Sequence, residues 1–236
     1  MPETIIITPV KDSIDTTLQT IQSVYSSDVN FEYYVFNDFS QPASKKQLEQ
    51  AKAKFGFNLV HLDEITTTPS PNYKLVLKMA QSIANKKKLP LILIESDVVV
   101  KPNTVANLIK LGQTMQNAAL IGAITTDANG NYNFPYNFEK LKSSETIDTS
   151  HSLSFCCTLM TPGFLSTFDF EHLSQKKDWF DVFISRQAKK LGFKNYLAKG
   201  EEVLHLPHSS RPWKNLKYSN PLLYYFKKLV KKRDRI

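Results

Sequence analysis

Two acidic residues lie one residue apart directly after a short apolar run. The run, Leu91 to Ile94, leads into Glu95, Ser96 and Asp97, and three valines follow. A short apolar run favours a buried strand, and ligands of α/β sheets bind beyond the carboxyl ends of strands. Carboxylates there can hold Mg²⁺ or Mn²⁺, which keep open positions for substrate phosphates. The pattern favours a phosphate-handling metal site, although paired acids in a solvated loop are also common.

The elements that must position these acids alternate between strands and helices. Apolar runs predict strands over residues 4–8, 31–36, 59–62, 91–94 and 119–124. Helical spacing of apolar residues predicts helices over residues 14–25, 42–55, 76–83 and 103–115. This repetition predicts an α/β fold with a mostly parallel sheet and helices on both faces.

The second half of the sequence is less regular. Residues 126–150 are rich in Asn, Asp, Ser and Thr, which indicates a loop or a short hairpin near the site. A strand is expected over 153–161, a helix over 178–191 that ends at Gly192, and two short strands within 193–206. Asn220 and Pro221 suit the start of a last helix.

Composition narrows the class of protein. The chain has 236 residues, enough for one α/β domain, and no apolar run approaches the ~18 residues of a transmembrane helix. The N-terminus lacks the pattern of a signal peptide, so a cytoplasmic protein is expected. Cys156 and Cys157 are adjacent and suit neither a disulfide nor a zinc site, so we expect both to be buried and reduced.

The glycine signatures of classical nucleotide binding are missing. The sequence has seven glycines and contains neither G-x-G-x-x-G nor G-K-[ST], which disfavours dinucleotide binding and P-loop chemistry. A sheet of this kind that handles phosphates must then neutralise them in another way, and carboxylates that hold a divalent cation would do so.

With these motifs in order, the chain resembles the family 2 glycosyltransferases of the GT-A fold, which use nucleotide-sugar donors. TIIITPVKDS is similar to the first strand and loop of that family, which hold the nucleotide base. The resemblance implies nucleotide contacts from Thr8, Pro9 and Val10. VFNDFS is similar to the second strand, whose aspartate contacts uracil or ribose; Asp38 has that place.

The segment ILIESDVVVKP resembles the D-x-D segment of the same family, with a glutamate in the first position. The resemblance implies that Asp97 binds Mn²⁺ or Mg²⁺ directly. It also implies that Glu95 faces the ribose or a metal-bound water, with Ser96 as a further nucleotide contact.

The later match is more specific, because it spans a helix and a strand. Asp181 lies 11 residues before Gly192, and His205 lies 13 residues after it. The resemblance implies that Asp181 is the catalytic base and that His205 is a metal ligand. Phe180 occupies a position where the family often has a glutamate, and Asp178 is the rival base, three residues before Asp181.

The resemblance implies an inverting transfer of a sugar from a nucleoside diphosphate, with UDP as the default nucleotide. Lys78 and Arg211 are possible contacts for the diphosphate. Each residue also has an ordinary interpretation: Asp38 as a turn residue, Asp178 and Asp181 as first-turn helix acids, and His205 as a strand histidine. Two other functions stay open, a sugar nucleotidyltransferase and a catalytically inactive protein of this fold that binds a membrane surface.

The C-terminal segment predicts a partner of its own. Residues 227–236 contain six basic residues and one acid, so they carry +5 of the net charge of +8. Residues 219–236 predict an amphipathic helix that is basic on one face, which suits an anionic membrane surface and a lipid-linked or polysaccharide acceptor. A frayed or packed C-terminus is the alternative. We therefore expect one GT-A domain over 1–218, with a nucleotide half (1–125) and an acceptor half (126–218), and no nucleic-acid partner.

Overall fold

The computed structural model describes residues 1–136, 143–174, 179–207 and Leu223. In the first half, strands and helices alternate as the sequence predicts, and Pro42 begins a helix that Gly56 ends in the left-handed conformation at φ 83°. In chain order the elements are β1 (Thr4–Val10), α1 (Ile14–Tyr25), β2 (Phe31–Asn37), α2 (Pro42–Phe55), β3 (Asn58–His61), α3 (Tyr73–Lys87) and β4 (Leu91–Ile94).

The second half combines short strands with three further helices. Its elements are β5 (Val98–Val99), α4 (Thr104–Thr114), β6 (Ala118–Thr126), β7 (Thr146–Asp148), β8 (Cys157–Met160), α5 (Pro162–Thr167), α6 (Phe180–Lys190) and β9 (Lys194–His205). The prediction of two short strands within 193–206 is wrong. One strand, β9, continues through the polar residues 199–202, and its pairing with β6 shifts register there.

The described strands form one sheet in the order β3-β2-β1-β4-β8-β6-β9-β5, with β7 on β9. The pairings make β1 to β4, β6 and β9 run in one direction, whereas β5, β7 and β8 run in the other. Because six of these nine strands share a direction, the sheet is mostly parallel, as predicted.

Two apolar layers cover the two faces of the sheet. Ile5, Ile7, Leu91 and Leu93 pack in one cluster with residues of α3, α5 and α6. Their neighbours Ile6, Ile92 and Ile94 pack in the other cluster with residues of α1, α2 and α4. Side chains of a strand alternate between its faces, and both faces are covered here, which is why these strands are apolar without interruption.

The predicted division into residues 1–218 and 219–236 stays a prediction. Apart from Leu223, the C-terminal segment lies outside the described residues. None of the helices within the described part of the chain is both long and apolar enough to cross a membrane.

Candidate active site at the carboxyl edge of the sheet

Asp38 lies directly after β2, beside the end of β1, and its amide donates to the carbonyl of Val10 at 2.9 Å. Its carboxylate is buried and accepts three hydrogen bonds from the loop before α3. The donors are the hydroxyl of Ser70 at 2.7 Å, the amide of Asn72 at 2.9 Å and the side-chain amide of Asn72 at 2.8 Å. Asp38 therefore fixes the entry into α3, whatever else it binds.

The centre of the site is a buried carboxylate beside an imidazole. Asp97 lies between β4 and β5, and His205 ends β9, where it pairs with Val98. The Asp97 Oδ2 to His205 Nε2 distance is 3.3 Å, and the two residues are only 2% and 7% exposed. The amide of Leu206 donates to the carbonyl of Asp97 at 2.7 Å, so the two chain segments are joined by backbone as well.

The other ring nitrogen of His205 determines what Nε2 can do. Nδ1 lies 2.8 Å from the carbonyl of Phe134. A carbonyl only accepts, so Nδ1 carries a proton and Nε2 is the ring nitrogen that faces Asp97. A carboxylate this deeply buried needs a positive charge nearby, and a cation bound by Oδ2 and Nε2 together would supply it.

This donor set fits a divalent cation. A carboxylate oxygen and an imidazole nitrogen suit Mn²⁺, and a histidine ligand typically donates its other N–H to a carbonyl. No group of three or more His, Cys, Asp or Glu side chains that could hold a metal occurs among the described residues. Asp97 and His205 therefore offer two ligands, and substrate oxygens and water would supply the rest.

A tight hairpin positions the carbonyl that His205 contacts. Asp127 turns the chain by accepting the amides of Asn129 and Asn131, both at 2.9 Å, and Thr126 pairs with Tyr132. The side chain of Asn133 then donates to the carbonyl of His205 at 3.2 Å. The expected short hairpin near the site is confirmed, and it fixes the ring orientation of the histidine.

Glu95 is held by the segment that precedes β8. Its amide donates to the carbonyl of Cys156 at 2.9 Å, and the thiol of Cys156 lies 3.7 Å from Glu95 Oε2. The hydroxyl of Ser154 lies 3.2 Å from the same sulfur. Glu95 and Ser96 are both half-buried.

The thiol of Cys156 lies near three of the candidate acids. Burial raises its pKa well above the ordinary value, and the negative charges of Glu95, Asp97 and Asp181 raise it further. A charge acts on a neighbour in this way only over a short distance. The three acids, which are up to 86 positions apart in the sequence, therefore all lie near one buried sulfur.

Asp181 lies in the first turn of α6, where the helix dipole favours an acid. Its Oδ1 accepts the amide of Val182 at 2.8 Å. Phe180, which replaces the glutamate common in the family, is buried and stacks on Tyr73 of α3, with ring centroids 6.1 Å apart. Phe180 thus anchors the start of α6. The rival base, Asp178, lies outside the described residues.

The remaining predicted nucleotide and diphosphate contacts differ in their burial and in their partners. Thr8 is fully buried and accepts a hydrogen bond from the hydroxyl of Tyr33 at 2.8 Å, which gives its side chain a role inside the sheet. Pro9 is half-buried and Val10 is buried. Lys78 forms an ion pair with Glu171. Arg211 lies outside the described residues, and all of these nucleotide contacts stay predictions.

Sequence reasoning missed two parts of the site. The carbonyl of Phe134 fixes the tautomer of His205, and no side-chain pattern marks a backbone carbonyl 71 residues away. The contact of Cys156 with Glu95 was also missed. Its one signal in the sequence was the adjacent pair Cys156 and Cys157.

Comparison with known proteins agrees with this fold. The family model for glycosyl transferase family 2 matches residues 5–168, which is more than half of the chain. The chain belongs to this family, which confirms the predicted family. A search of curated proteins found no match in sequence.

Two solved structures show the same fold at low sequence identity. The mannosyltransferase PcManGT from Pyrobaculum calidifontis, in complex with GDP-Man and Mn²⁺, aligns with a TM-score of 0.66 and 12% identity over 98% of this chain. Residues 1–349 of S. aureus TarS align with a TM-score of 0.57 and 15% identity over 87% of this chain. The chain spans 64% and 60% of those two structures, respectively. The likeness confirms the GT-A fold.

Proposed function

We propose that this protein transfers a sugar, with inversion, from a nucleoside-diphosphate donor to a hydroxyl acceptor, and that it depends on Mn²⁺ or Mg²⁺. The observation that carries the proposal is the buried pair of Asp97 and His205, 3.3 Å apart at the carboxyl edge of the sheet. A carboxylate beside an imidazole is costly to bury at a ligand-binding edge, and a bound cation would offset that cost.

The side chains divide the work between donor and acceptor. Asp97 and His205 would hold the metal ion, which when bound acts as a Lewis acid on the departing diphosphate. Pro9, Val10 and Asp38, at the ends of β1 and β2, would hold the base and ribose, with Glu95 and Ser96 beside the ribose.

Asp181 would take the proton from the acceptor hydroxyl as that oxygen attacks the anomeric carbon. Its place in the first turn of α6 stabilises the carboxylate form that a base requires. One base and one direct displacement imply inversion, so a product with retained configuration would contradict the proposal.

UDP is the first nucleotide to test, and GDP is the second, because the similar mannosyltransferase structure contains GDP-Man. For the acceptor we propose a glycan or a lipid-linked intermediate of surface-polysaccharide assembly. The basic residues of 219–236 would then hold the enzyme on the cytoplasmic face of an anionic membrane.

Calorimetric titration of UDP, with and without Mn²⁺, tests the donor site. Wild type is expected to bind UDP only with the metal, and Asp97→Ala is expected to lose that binding. Asp28→Ala is the matched control, because Asp28 is exposed and lies in the loop after α1. Absence of binding to UDP, GDP and dTDP under every metal condition would overturn the proposal and favour an inactive surface-binding protein of this fold.

A further inference from the structure

A separate cavity of about 160 Å³ lies between α6 and the segment that precedes β8. At roughly 30 Å³ per water molecule, it has room for about five waters or a small polar group. It is lined by Ser150, His151, Ser152, Ser185, Arg186 and Lys189.

The lining has the chemistry of an anion site. It combines two cationic side chains, an imidazole and three hydroxyls, and none of the lining residues is acidic. Among the residues that the structure describes, none forms an ion pair with Arg186. The nearby acid that acts on Lys189 is Asp148, which is itself paired with Lys194 at 3.3 Å.

Lys189 is half-buried at the wall of the cavity. Its Nζ lies 3.5 Å from the carbonyl of His151, across the cavity wall. Burial lowers the pKa of the Lys189 amine, and the charge of Asp148 acts in the opposite direction. Burial penalises the charged form of the amine. A bound anion would stabilise that charged form and so offset the penalty.

The cavity lies along the same helix face as the proposed base. Ser185 and Lys189 follow Asp181 by four and eight positions, so the three share one face of α6. At 1.5 Å per residue they lie about 6 Å and about 12 Å from Asp181 along the helix axis. An acceptor can therefore present its hydroxyl to Asp181 and extend along α6 into the cavity.

The chain segment between the two sites joins them physically. The amide of Leu153 donates to the hydroxyl of Ser185 at 3.0 Å, at the cavity. Three residues later Cys156 contacts Glu95, at the acid cluster. Seven residues, 150–156, thus span from the cavity to the donor acids, a reach of at most about 25 Å when extended.

We infer that this cavity binds a phosphate group of the acceptor, so that the acceptor is a phosphate ester with a free hydroxyl about one or two helix turns from the phosphate. The assignment to the acceptor rests on the proposed function. Arg186 offers planar, paired donors that suit phosphate, and Lys189 adds a point charge. The donor diphosphate belongs instead at Asp97 and His205, at the other end of the 150–156 segment.

Titration of inorganic phosphate, followed by backbone amide NMR shifts at constant ionic strength, tests the site. Wild type is expected to show saturable shifts at residues 150–153 and 185–189, with a Kd on the order of millimolar. The double variant Arg186→Gln/Lys189→Gln is expected to bind at least tenfold more weakly. Lys110→Gln/Lys190→Gln is the matched control, because it removes the same charge from exposed positions outside the cavity and is expected to bind as wild type does.

Parallel titration of UDP with Mn²⁺ separates this inference from the proposed function. Both double variants are expected to bind UDP within about twofold of wild type. If the wild type binds UDP but shows no saturable shifts with phosphate, the phosphate site is overturned and the proposed function is left intact. A loss of UDP affinity in Arg186→Gln/Lys189→Gln alone would assign the cavity to the donor and overturn the acceptor assignment. A wild type that binds phosphate but none of UDP, GDP and dTDP would overturn the proposed function.

Once a donor is known, phosphorylated and unphosphorylated acceptors distinguish the sources of the phosphate. A water-soluble phosphorylated acceptor and a lipid-linked diphosphate acceptor are both expected to lose rate in Arg186→Gln/Lys189→Gln. The loss is expected as a rise of at least tenfold in KM for the acceptor with KM for the donor unchanged. An equal rise for an acceptor that carries no phosphate would contradict a phosphate subsite.

Discussion

At the scale of single residues, Asp181 makes the proposed reaction testable with the smallest change. Asp181→Asn keeps the oxygen that accepts the amide of Val182 but cannot take a proton. The rate of transfer is expected to fall by about 10²- to 10⁴-fold, the usual contribution of a general base, while metal-dependent UDP binding is retained. Transfer rates with the donor sugar that screening identifies provide the measurement.

The rival base gives that experiment its control. Asp178→Asn changes the same chemical group three positions earlier and is expected to retain most of the activity. If Asp178→Asn loses the rate and Asp181→Asn keeps it, the roles of the two acids are reversed. A loss of UDP affinity in Asp181→Asn would instead place this side chain in the donor site.

The two cysteines give a prediction that needs no substrate. Burial raises the pKa of both thiols, for Cys157 from 9.0 to about 12. The thiolate is the reactive form, so neither thiol is expected to react with a disulfide reagent at neutral pH until the protein unfolds. A thiol that reacts rapidly with the reagent in the native protein would show that Cys156 or Cys157 is accessible.

The same shifts determine how the stability depends on pH. A thiol whose pKa is raised on folding stays protonated while the unfolded chain ionises, so the folded state loses stability as the pH rises above about 9. Each thiol contributes about a tenfold change in the folding equilibrium per pH unit in that range. Denaturant unfolding of wild type and of Cys157→Ala between pH 8 and pH 10 measures this dependence, which is expected to be weaker in the variant.

At the scale of elements, the link from Asp38 to α3 separates folding from nucleotide binding. Asp38→Asn replaces a charged acceptor of three hydrogen bonds and is expected to lower the free energy of unfolding by about 2–4 kcal/mol. Asn72→Ala removes one of those bonds without removing the carboxylate. Denaturant unfolding and UDP titrations of both variants decide whether Asp38 contacts the nucleotide or only stabilises the fold. A contact of Asp38 with the nucleotide predicts a loss of UDP affinity only in Asp38→Asn, whereas equal losses would make Asp38 a structural residue.

The irregular part of β9 depends on a close approach between two chain segments. A Cβ added at Gly200 would lie 3.0 Å from the carbonyl oxygen of Ser144, which is backbone and cannot turn away. Gly200→Ala is therefore expected to cost about 1–3 kcal/mol of stability. Gly163→Ala, in α5, is the control: nothing lies within 4 Å of its added Cβ, and it is expected to be neutral or stabilising. Equal unfolding midpoints for the two variants would contradict this account.

The contrast between β4 and β9 shows what sequence could predict at this scale. Leu91–Ile94 is apolar throughout because helices cover both faces of the sheet, so it was recognisable as a buried strand. Lys199, Gly200 and Glu201 have the composition typical of a turn, yet β9 continues through them. Its pairing with β6 shifts register there, and pairing between distant strands leaves no local pattern.

Long-range contacts limited the prediction of the site in the same way. Motif order located Asp97, Asp181 and His205, because each lies at an element boundary that local patterns predict. The partner of Lys78 is Glu171, 93 positions away, and a lysine on a helix carries no sign of which acid it will meet. Residue types predicted the acids, while the fold alone determined which side chains they contact.

At the scale of the whole molecule, the two halves of the chain contribute different sides of one site. The parallel strands of the first half end in Asp38 and Asp97, where the architecture binds ligands. The second half adds His205 from β9 and Asp181 from α6. Cys156, just before β8, feels the charge of acids from both halves. Acceptor contacts could therefore change through α6 and residues 150–153, whereas Cys156 is fixed by its contacts with Glu95.

The distribution of charge argues for a membrane partner at this scale. With +5 of +8 in residues 227–236, the remaining 226 residues carry +3, so attraction to an anionic surface is local to the C-terminus. Each basic residue near such a surface contributes about 1 kcal/mol. Wild type is expected to sediment with vesicles that contain anionic phospholipid, and a variant without residues 219–236 is expected to stay in solution.

Charge and apolar area must both contribute if the segment lies in the interface as an amphipathic helix. The variant Lys227→Gln/Lys228→Gln/Lys231→Gln/Lys232→Gln keeps the chain length and the apolar residues, and it is expected to lose most of the sedimentation. Wild-type binding should weaken as salt shortens the screening length from about 10 Å at 0.1 M to about 3 Å at 1 M. If the deletion variant still sediments, the membrane contact lies elsewhere on the molecule. If the four-substitution variant sediments but the deletion variant does not, the contact depends on the apolar residues instead of the charge.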